Sequence, residues 1–535
     1  MATPSLALIP TGFKAGKLYS VLPEPIYGSE LVTNGDFATD TDWTKGTGVT
    51  ISNGEALFSS TPSGQSVQQN AVASSLPNGT LAEVSFEVLS RTAGTFGIYF
   101  SGTLVGTIAS VGIFTSYFTK GTETSFYIRA LGTTTGSITN VSVKEVIVGD
   151  GDFDVTRATT ATRVNEQGLI ESMANNVPRL DYTDGGCPVL LTEPQSTNLI
   201  TYPLSFGNSY WIKGRATVTS GQAAPSVDNP TSAFKLVQDT STGVHEVYNG
   251  SINVTSGTTY TSSIIVKGDN RNLQVVMASG FTSNFCNFDL TTGVVGSNNG
   301  ILNSKIEEIS NNYYRCSVTA IANANSVFYN ELILIDSATS PRYSSYTGDG
   351  TSGVYIFGAQ LEVGSKATSL MLPITEGSTV TRVKDVVNNA GDVNTFNSEE
   401  GVLFWEGIGL GGITSQMSIS QGNSTSNRIY LSYDSNGRIL TSHVSSGVDS
   451  FVFTFSVSQL TNNKIAVAWS SSQITLYING VVIGTDTIVT PFPINTLSDM
   501  KFNNGTGNSD FFGKTKQLKV FKTALSDAEL TALTS

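Results

Sequence analysis

The sequence predicts an all-β protein in which β-sandwich modules follow one another, with a short N-terminal anchor and an irregular connector. Two observations carry this prediction. Apolar and polar residues alternate in runs such as residues 259–267 (TYTSSIIVK) and 473–483 (QITLYINGVVI), so one set of side chains faces a core and the other faces water. Turn pairs such as Asn479-Gly480 separate these runs, as β-hairpins require.

Length, composition and charge limit the possible classes of protein. The chain has 535 residues, enough for three or four domains of ~150 residues. Only 13% of residues are charged but 39% are hydrophobic, which excludes a disordered chain. A net charge of −13 argues against nucleic acid and anionic lipid as partners. The chain has no apolar run of ~18 residues, so no membrane insertion is expected.

An internal similarity predicts two copies of one sandwich type. Residues 30–43 (ELVTNGDFATDTDW) and 198–211 (NLITYPLSFGNSYW) open alike, and each ends at a tryptophan. Residues 136–146 (GSITNVSVKEV) and 353–363 (GVYIFGAQLEV) close alike, as alternating strands with a late glutamate. Because repeats fix architecture, we place the first module at 29–147 and the second at 195–366.

The remaining segments are a leader, two connectors and a third module. Residues 1–28 are too few for a core of their own. Residues 148–194 are expected to be irregular because Gly-Gly and three prolines interrupt them, and residues 367–399 repeat their Thr-Arg phrase. Residues 400–535 form a third β-unit. It ends in a short helix that Ser526 and Glu529 cap.

Several phrases of the leader and the first connector resemble virion proteins of tailed bacteriophages. They are residues 1–23 (MATPSLALIPTGFKAGKLYSVLP), 149–171 (GDGDFDVTRATTATRVNEQGLIE) and 177–200 (VPRLDYTDGGCPVLLTEPQSTNLI). Proteins with such phrases are usually tail-fibre or receptor-binding proteins.

The three modules carry resemblances of their own. The second is similar to carbohydrate-binding-module jelly rolls in residues 287–296 (NFDLTTGVVG), 311–320 (NNYYRCSVTA) and 355–369 (YIFGAQLEVGSKATS). The first resembles a galactose-binding-type jelly roll. The third resembles concanavalin A-like (laminin G-type) lectin domains in residues 464–484 (KIAVAWSSSQITLYINGVVIG) and 516–533 (KQLKVFKTALSDAELTAL).

The resemblance implies a virion appendage that attaches the particle to glycans on the host surface. Residues 1–28 would anchor it to other virion proteins, and the leader is expected to be ordered only by docking on such a partner. The family is commonly trimeric, so a homotrimer is expected. With no signal peptide, because the apolar run at 5–10 is short, the protein would be made in the host cytoplasm and released by lysis.

Aromatic side chains of the second module are the sugar-binding candidates. They are Tyr210, Trp211, Tyr248 and Tyr314. The alternative for every tryptophan is core packing, because tryptophan is highly buried on average. Since Tyr313 and Tyr314 are neighbours on an alternating strand, one ring should face inwards and the other outwards.

The jelly-roll resemblance also implies structural calcium between the opening segment and the last strand of each module. The ligands would be hard oxygens. Asp36 and Glu145 are the candidates in the first module, and Asn198 and Glu362 hold the corresponding places in the second.

No enzyme motif is present, so we expect a protein that is not an enzyme. The two histidines, His245 and His443, belong to different modules and are expected on strand surfaces rather than in a catalytic triad. Two alternatives to the adhesin remain. One is a head-fibre or decoration protein without a ligand, and the other is a capsule-degrading glycosidase, which would need two carboxylates about 5–9 Å apart.

Overall fold

The computed structural model describes residues 2–20, 26–100, 102–122, 125–147, 151–183, 185–282, 284–488 and 490–535. The predicted boundary after residue 147 and part of the leader lie outside these residues. The chain divides into two compact units, and each is treated by itself. One is Glu24–Gly149, and the other joins Met1–Pro23 to Asp150–Ser535. Among the described residues, no helix is long and apolar enough to cross a membrane.

The leader folds onto the C-terminal part of the same chain. Its strands are β1 (Leu6–Leu8), β2 (Phe13–Lys14) and β3 (Lys17–Leu18). β1 pairs antiparallel with the segment Gly513–Phe521, and Leu6 and Leu8 are completely buried. The expectation that only another protein could order the leader is therefore wrong for this part. A strand with two apolar side chains gains most by covering an exposed sheet edge, and the chain supplies that edge itself.

The smaller unit is a sandwich organised around two long strands. Its strands are β4 (Ile26–Glu30), β5 (Thr44–Lys45), β6 (Val49–Ser52), β7 (Glu55–Thr61), β8 (Ser66–Gln69), β9 (Leu81–Phe100), β10 (Thr103–Ile108), β11 (Gly112–Thr119) and β12 (Phe126–Ile147). β9 and β12 pair along most of their length with several bulges. Alternate residues of β9 are buried, so Val84, Phe86 and Val88 face the core, as the period-2 pattern predicts.

The first connector is less irregular than expected, because it contains short strands. Those near its two ends bury apolar side chains in the core of the C-terminal module, and Ile170 packs with residues of the second module. The strands are β13 (Phe153–Thr156), β14 (Ala161–Val164), β15 (Ile170–Met173), β16 (Leu180–Asp181) and β17 (Val189–Thr192). Phe153 and Leu190 pack in one cluster with Trp405 and Trp469. The glycines and prolines of the connector are consistent with its strands being short. Through the burial of Phe153 and Leu190, the connector contributes to the core of the C-terminal module.

A cluster of buried charges joins the two connectors. Arg157 and Arg179 bind Asp385, while Arg179 and Arg382 bind Glu193 at 2.6 and 3.0 Å. All five side chains are at most 5% exposed. Burial opposes the charge of Glu193, but Arg382 and Arg179 hold its pKa far below the usual range. Removing one partner from such a cluster leaves a buried charge uncompensated, so these residues fix the junction.

The second module is a two-sheet sandwich. Its strands are β18 (Ser196–Asn198), β19 (Ile212–Gly214), β20 (Ala216–Gln222), β21 (Ala233–Gln238), β22 (Thr242–Gly243), β23 (His245–Val254), β24 (Thr259–Asp269), β25 (Asn272–Ala278), β26 (Phe285–Asp289), β27 (Val294–Asn299), β28 (Asn303–Ser310), β29 (Tyr313–Ile321), β30 (Ser326–Ile335), β31 (Tyr346–Thr347) and β32 (Gly353–Val363). The sheet orders are β19-β23-β30-β25-β26-β27 and β20-β21-β32-β24-β29-β28. One apolar core lies between them.

The C-terminal module is also a sandwich and completes the larger unit. Its elements, with the second connector, are β33 (Val380–Arg382), β34 (Val386–Asn388), β35 (Gly401–Gly409), β36 (Ser415–Ser420), β37 (Arg428–Tyr433), β38 (Arg438–Ser445), β39 (Val448–Ser456), β40 (Asn463–Trp469), β41 (Gln473–Ile478), β42 (Val481–Thr487), β43 (Asp499–Lys501), β44 (Gly513–Phe521) and α1 (Asp527–Thr534). One sheet runs β16-β17-β44-β35-β40-β41-β42, with β1 on β44, and the other runs β39-β38-β37-β36-β43. The predicted helix and its Ser526–Glu529 capping box are confirmed.

Candidate functional site

A polar cleft of about 440 Å³ opens at one end of the second module. The loops that follow β24 and β30, the turn after β26 and the turn before β29 form its walls. The lining residues are Lys267, Gly268, Asn270, Arg271, Asn272, Leu290, Thr291, Asn312, Tyr314 and Asp336. Most of these side chains can form hydrogen bonds, and Tyr314 supplies one aromatic ring. Such a lining offers donors and acceptors to a small polar ligand.

Two asparagines present their amides to the cleft because of the turns they occupy. Asn270 and Asn312 have φ angles of 61° and 62°, in the left-handed region that asparagine tolerates better than most residues. Both residues are exposed. Within the part of the chain that the structure describes, neither side-chain amide forms a hydrogen bond. Each is therefore a free donor and acceptor for a ligand.

Tyr314 lies on the wall of the cleft, packs against the core of the module and occupies space that Gly293 leaves open. The ring is only 2.9 Å from the position that a Cβ atom would take at Gly293, so any larger residue there would displace it. Burial raises the pKa of Tyr314, with Glu308 and Asp289 acting in the same direction. The phenol therefore stays protonated at neutral pH, and its hydroxyl can both donate and accept.

Arg271 is fixed before any ligand arrives. Its Nε donates to Gln238 Oε1 and its Nη1 to the Asn270 carbonyl, both at 2.8 Å. The guanidinium also lies 5.2 Å from the ring centroid of Tyr346. A positioned guanidinium beside free amides costs little entropy when a ligand binds. The cleft is thus equipped for binding.

The cleft does not present a pair of carboxylates among the residues that the structure describes. Asp336 is the one carboxylate among its lining residues, whereas glycoside hydrolysis requires two. The two histidines are buried in separate modules, with 0% of His245 and 1% of His443 exposed. The expectation that they lie on strand surfaces is wrong, because each imidazole packs against an aromatic ring, Tyr346 for His245 and Phe492 for His443.

The four predicted sugar-binding residues do not form one site. Tyr314 lines the cleft and also packs, half-buried, against the core between the two sheets. Tyr313 is 4% exposed and lies on the opposite face of the strand, where Ile170 and Leu370 belong to the same cluster. The two rings take opposite faces, as the alternation predicts, but neither is fully exposed to solvent. Tyr248 is half-buried, and its ring packs against Tyr329 at 6.1 Å. It is not among the residues that line the cleft. Neither are Tyr210 and Trp211.

Trp211 and Tyr210 belong to the inner part of the second module. Trp211 is 1% exposed, and its indole N–H donates to the Tyr202 carbonyl at 2.9 Å. Its rings therefore cannot stack on a sugar, and the core-packing alternative is confirmed. The Tyr210 hydroxyl accepts a hydrogen bond from the buried Asn249 amide at 2.7 Å.

The cleft residues that the sequence interpretation missed are the asparagines and Arg271. Their signal is visible in residues 268–272 (GDNRN) and 310–314 (SNNYY), where asparagine-rich turns end at the start of a strand. Two such turns can meet at one end of a sandwich only when the strands that carry them are placed in neighbouring positions, which sequence alone does not give.

The opening segments use side-chain oxygens as acceptors for backbone N–H groups. In the first module, Glu30 Oε1 accepts from Val32 and from Val143 on the last strand. In the second, Asn198 Oδ1 accepts from Ile200 at 3.0 Å and from Leu361 at 3.1 Å.

The predicted calcium ligands are placed differently from one another. Asn198 corresponds to Glu30 rather than to Asp36, and the two N–H donors occupy both lone pairs of its carbonyl oxygen. The carboxylate of Glu362 is buried and accepts from the Thr368 amide and hydroxyl. Burial raises the pKa of Glu362, although Arg315 opposes the shift.

Asp36 is exposed, and its Oδ1 accepts from the Ala38 amide at 3.3 Å, while Glu145 is half-buried on the last strand of the first module. Among the described residues, no group of three or more His, Cys, Asp or Glu side chains could hold a metal ion. Calcium binding at either place stays a prediction.

Comparison with known proteins finds a lectin-like similarity for the C-terminal module. Residues 408–531 match the family described as the Concanavalin A-like lectin/glucanases superfamily. No curated protein matches the chain.

Several solved structures, among them carbohydrate-binding modules, match parts of the chain weakly. A carbohydrate-binding module (CBM40) of the Ruminococcus gnavus IT-sialidase, bound to alpha2,3 sialyllactose, is 19% identical and covers 28% of this chain and 94% of its own, with a TM-score of 0.24. The CBM22-1-CBM22-2 tandem of Paenibacillus barcinonensis Xyn10C is 11% identical and covers 63% and 98%, with a TM-score of 0.21. Domains LG4-5 of the mouse laminin alpha1 chain are 10% identical and cover 54% and 89%, with a TM-score of 0.18. At these values the matches carry no information on the ligand.

Proposed function

We propose that this protein binds glycans without cleaving them and does so as an appendage of a bacteriophage virion. The single observation that carries the glycan part is the cleft of the second module. It combines one positioned aromatic ring, Tyr314, with the free amides of Asn270 and Asn312. Sugars offer an apolar C–H face and many hydroxyl groups, and this set of side chains matches both.

The virion part of the proposal rests on the phage-like phrases of the leader and the first connector. Because Leu6 and Leu8 are buried against β44, a virion partner would have to contact the exposed residues of the leader. In the described part of the leader, Ile9, Tyr19 and Tyr27 are large apolar side chains that are exposed, by 49%, 40% and 36%. We further propose a homotrimer. Light scattering should then give three times the chain mass of 56.5 kDa.

A glycan array with the full-length protein tests the binding proposal. We expect binding to a limited set of glycans, and Tyr314→Ala should weaken it by about tenfold or more, because an aromatic anchor carries a large share of the binding energy. Tyr248→Ala is the matched control, since Tyr248 lies outside the cleft, and it should bind like the unchanged protein. Absence of binding to any glycan, or equal binding by both variants, would refute the cleft as the site.

Labelling of phage particles with an antibody, followed by electron microscopy, tests the virion proposal independently. A label at the particle surface supports it. A label found only in the lysate, never on particles, contradicts it while leaving the glycan proposal intact.

A further inference from the structure

A second cavity, of about 480 Å³, lies where the second module, the first connector and the C-terminal module meet, all within the larger unit. Ile265 and Arg315 of the second module face it, as do Ile170 of the connector and Leu410 of the C-terminal module. The volume falls within the range of small-molecule sites.

The cavity is more basic than the rest of the chain. Acidic residues outnumber basic ones in the whole protein, 42 to 29. Around the cavity the order is reversed, with five basic and three acidic residues, namely Arg163, Lys305, Arg315, Lys366 and Lys514 against Asp181, Glu193 and Glu307. Glu193 moreover forms ion pairs with Arg179 and Arg382, two basic residues that do not line the cavity and that balance its charge. The cavity therefore attracts anions.

Among the five basic residues, Lys366 stands apart because it has no protein acceptor in the part of the chain that the structure describes. Each of the other four contacts an oxygen of a neighbouring residue. Arg163 contacts Glu171 and Lys305 contacts Glu307. Arg315 contacts the Thr368 carbonyl and Lys514 contacts Asp181. Lys366 is half-buried, and its Nζ lies 3.5 Å from where a Cβ atom would be at Gly411. Burial lowers the pKa of Lys366, and Lys305 adds to this effect while Glu307 opposes it. A desolvated ammonium without an acceptor is unfavourable until an anion pairs with it.

The rest of the wall suits a ligand with both hydroxyl groups and an apolar face. Ser317 and Thr319 lie two residues apart on β29, so they share one face of the strand, and both line the cavity. Leu370 and Leu460 also line the cavity, and their side chains supply an apolar surface. Building on the proposed glycan-binding function, we infer that this cavity takes an acidic saccharide, with its carboxylate paired to Lys366 Nζ and its ring against the leucines.

Calorimetric titration of the full-length protein tests this inference. The probes are oligosaccharides that end in glucuronic, galacturonic or sialic acid, each compared with the same oligosaccharide in which the carboxylate is reduced to an alcohol. We expect at least one acidic probe to bind more tightly than its neutral counterpart, and Lys366→Met to weaken that binding tenfold or more, as loss of a charge-assisted hydrogen bond implies. Lys522→Met, another half-buried lysine but outside the cavity, should leave it unchanged.

Two further measurements separate this inference from its alternatives. Lys366→Met should unfold at a temperature equal to or above that of the unchanged protein, because it removes a half-buried charge that has no acceptor among the described residues. A lysine that stabilises the fold would lower the unfolding temperature when it is replaced. Tyr314→Ala should leave the acidic probe bound, whereas Lys366→Met should leave array binding by neutral glycans intact. If only the Tyr314-dependent binding of neutral glycans is found, the inference fails and the proposed function stands. If only Lys366-dependent binding is found, the cleft fails as the site. No preference for any acidic probe, or inorganic phosphate binding alone, would overturn the inference.

Discussion

The two jelly-roll modules share the backbone arrangement of their opening segments. They differ in the side chain that binds the opening segment to the last strand. In both, an indole N–H donates at 2.9 Å to the carbonyl nine residues earlier, Trp43 to Asn34 and Trp211 to Tyr202. In both, a side-chain oxygen at the start of the module ties the opening segment to the last strand. That oxygen belongs to the carboxylate of Glu30 in the first module and to the amide of Asn198 in the second.

The difference shows that solvent access determines whether the acceptor of the opening segment can be a charged carboxylate or must be a neutral amide. The Glu30 side chain is 38% exposed and lies 3.9 Å from Lys144. Asn198 is completely buried, and a carboxylate there would have to give up its hydration. An amide supplies the same acceptor without charge. The repeated geometry thus fixes the acceptor position, and burial selects the residue type.

Removing the repeated tryptophan should have the largest effect. Trp211→Ala should destabilise the larger unit by about 3–5 kcal/mol, because a large side chain that is 1% exposed leaves a cavity. Trp43→Ala should cost the smaller unit a similar or slightly smaller amount, since Trp43 is 7% exposed. Denaturant unfolding followed by circular dichroism measures both. A loss below about 1 kcal/mol in either module would mean that the two openings are not equivalent in energy.

Exchanging the acceptors tests the role of burial directly. Asn198→Asp should cost about 2 kcal/mol or more at pH 7, because it buries a charge and turns a donor to the Ala359 carbonyl into an acceptor. The loss should shrink in acid, where the new carboxyl group is protonated. Glu30→Gln should cost less than about 1 kcal/mol. The same change at an exposed position, Asn253→Asp, is the control and should leave the unfolding midpoint unchanged.

Local patterns predicted most of the fold but only part of its turns. Period-2 alternation gives the strands, and Asn479-Gly480 forms the predicted turn, with φ angles of 48° and 83°. The hairpin at Asn436-Gly437 is confirmed, but only Gly437 has a positive φ, because four residues rather than two join β37 to β38. Loop length depends on strand register, which the residues of a turn do not determine by themselves.

The sequence did not predict which distant segments of the chain contact each other. Leu6 pairs with Val520 at the other end of the chain, and no local pattern marks such a pair. The buried ion cluster left a trace, since the Thr-Arg phrases of the two connectors contain Arg157 and Arg382. In a chain with only 13% charged residues, a repeated arginine is a signal of structure. Its acidic partner Asp385 could be paired with it only in three dimensions.

The last strands of the two modules differ in their response to pH. The residue that follows the N–H bound to the opening segment is Lys144 in the first module and Glu362 in the second, so the sequence pairing of Glu145 with Glu362 is wrong by one residue. Burial raises the pKa of Glu362 above its ordinary value of 4.5. The stability that this group contributes is therefore present below pH 4.5 and is lost as the pH rises through its folded-state pKa.

Glu362→Gln should remove this dependence. We expect the stability of the unchanged protein relative to the variant to fall between pH 4 and pH 7, which thermal unfolding across that range measures. Glu166→Gln, at an exposed position, should run parallel to the unchanged protein. A difference that grows in the opposite direction would mean that Arg315 and Arg382 outweigh burial at this site.

The smallest effect is expected at the exposed pair of the first module. Lys144→Met should change the stability of the smaller unit by less than about 1 kcal/mol, because both side chains of the Glu30–Lys144 pair are more than a third exposed and water screens them. The hydrogen bonds from Glu30 to Val32 and Val143 do not involve the lysine, so the opening should stay closed. Unfolding at low salt and at 1 M salt measures the electrostatic part. A larger loss that disappears at high salt would show that charge holds the first opening, and the contrast with the buried amide of Asn198 would then be one of mechanism rather than of solvent access.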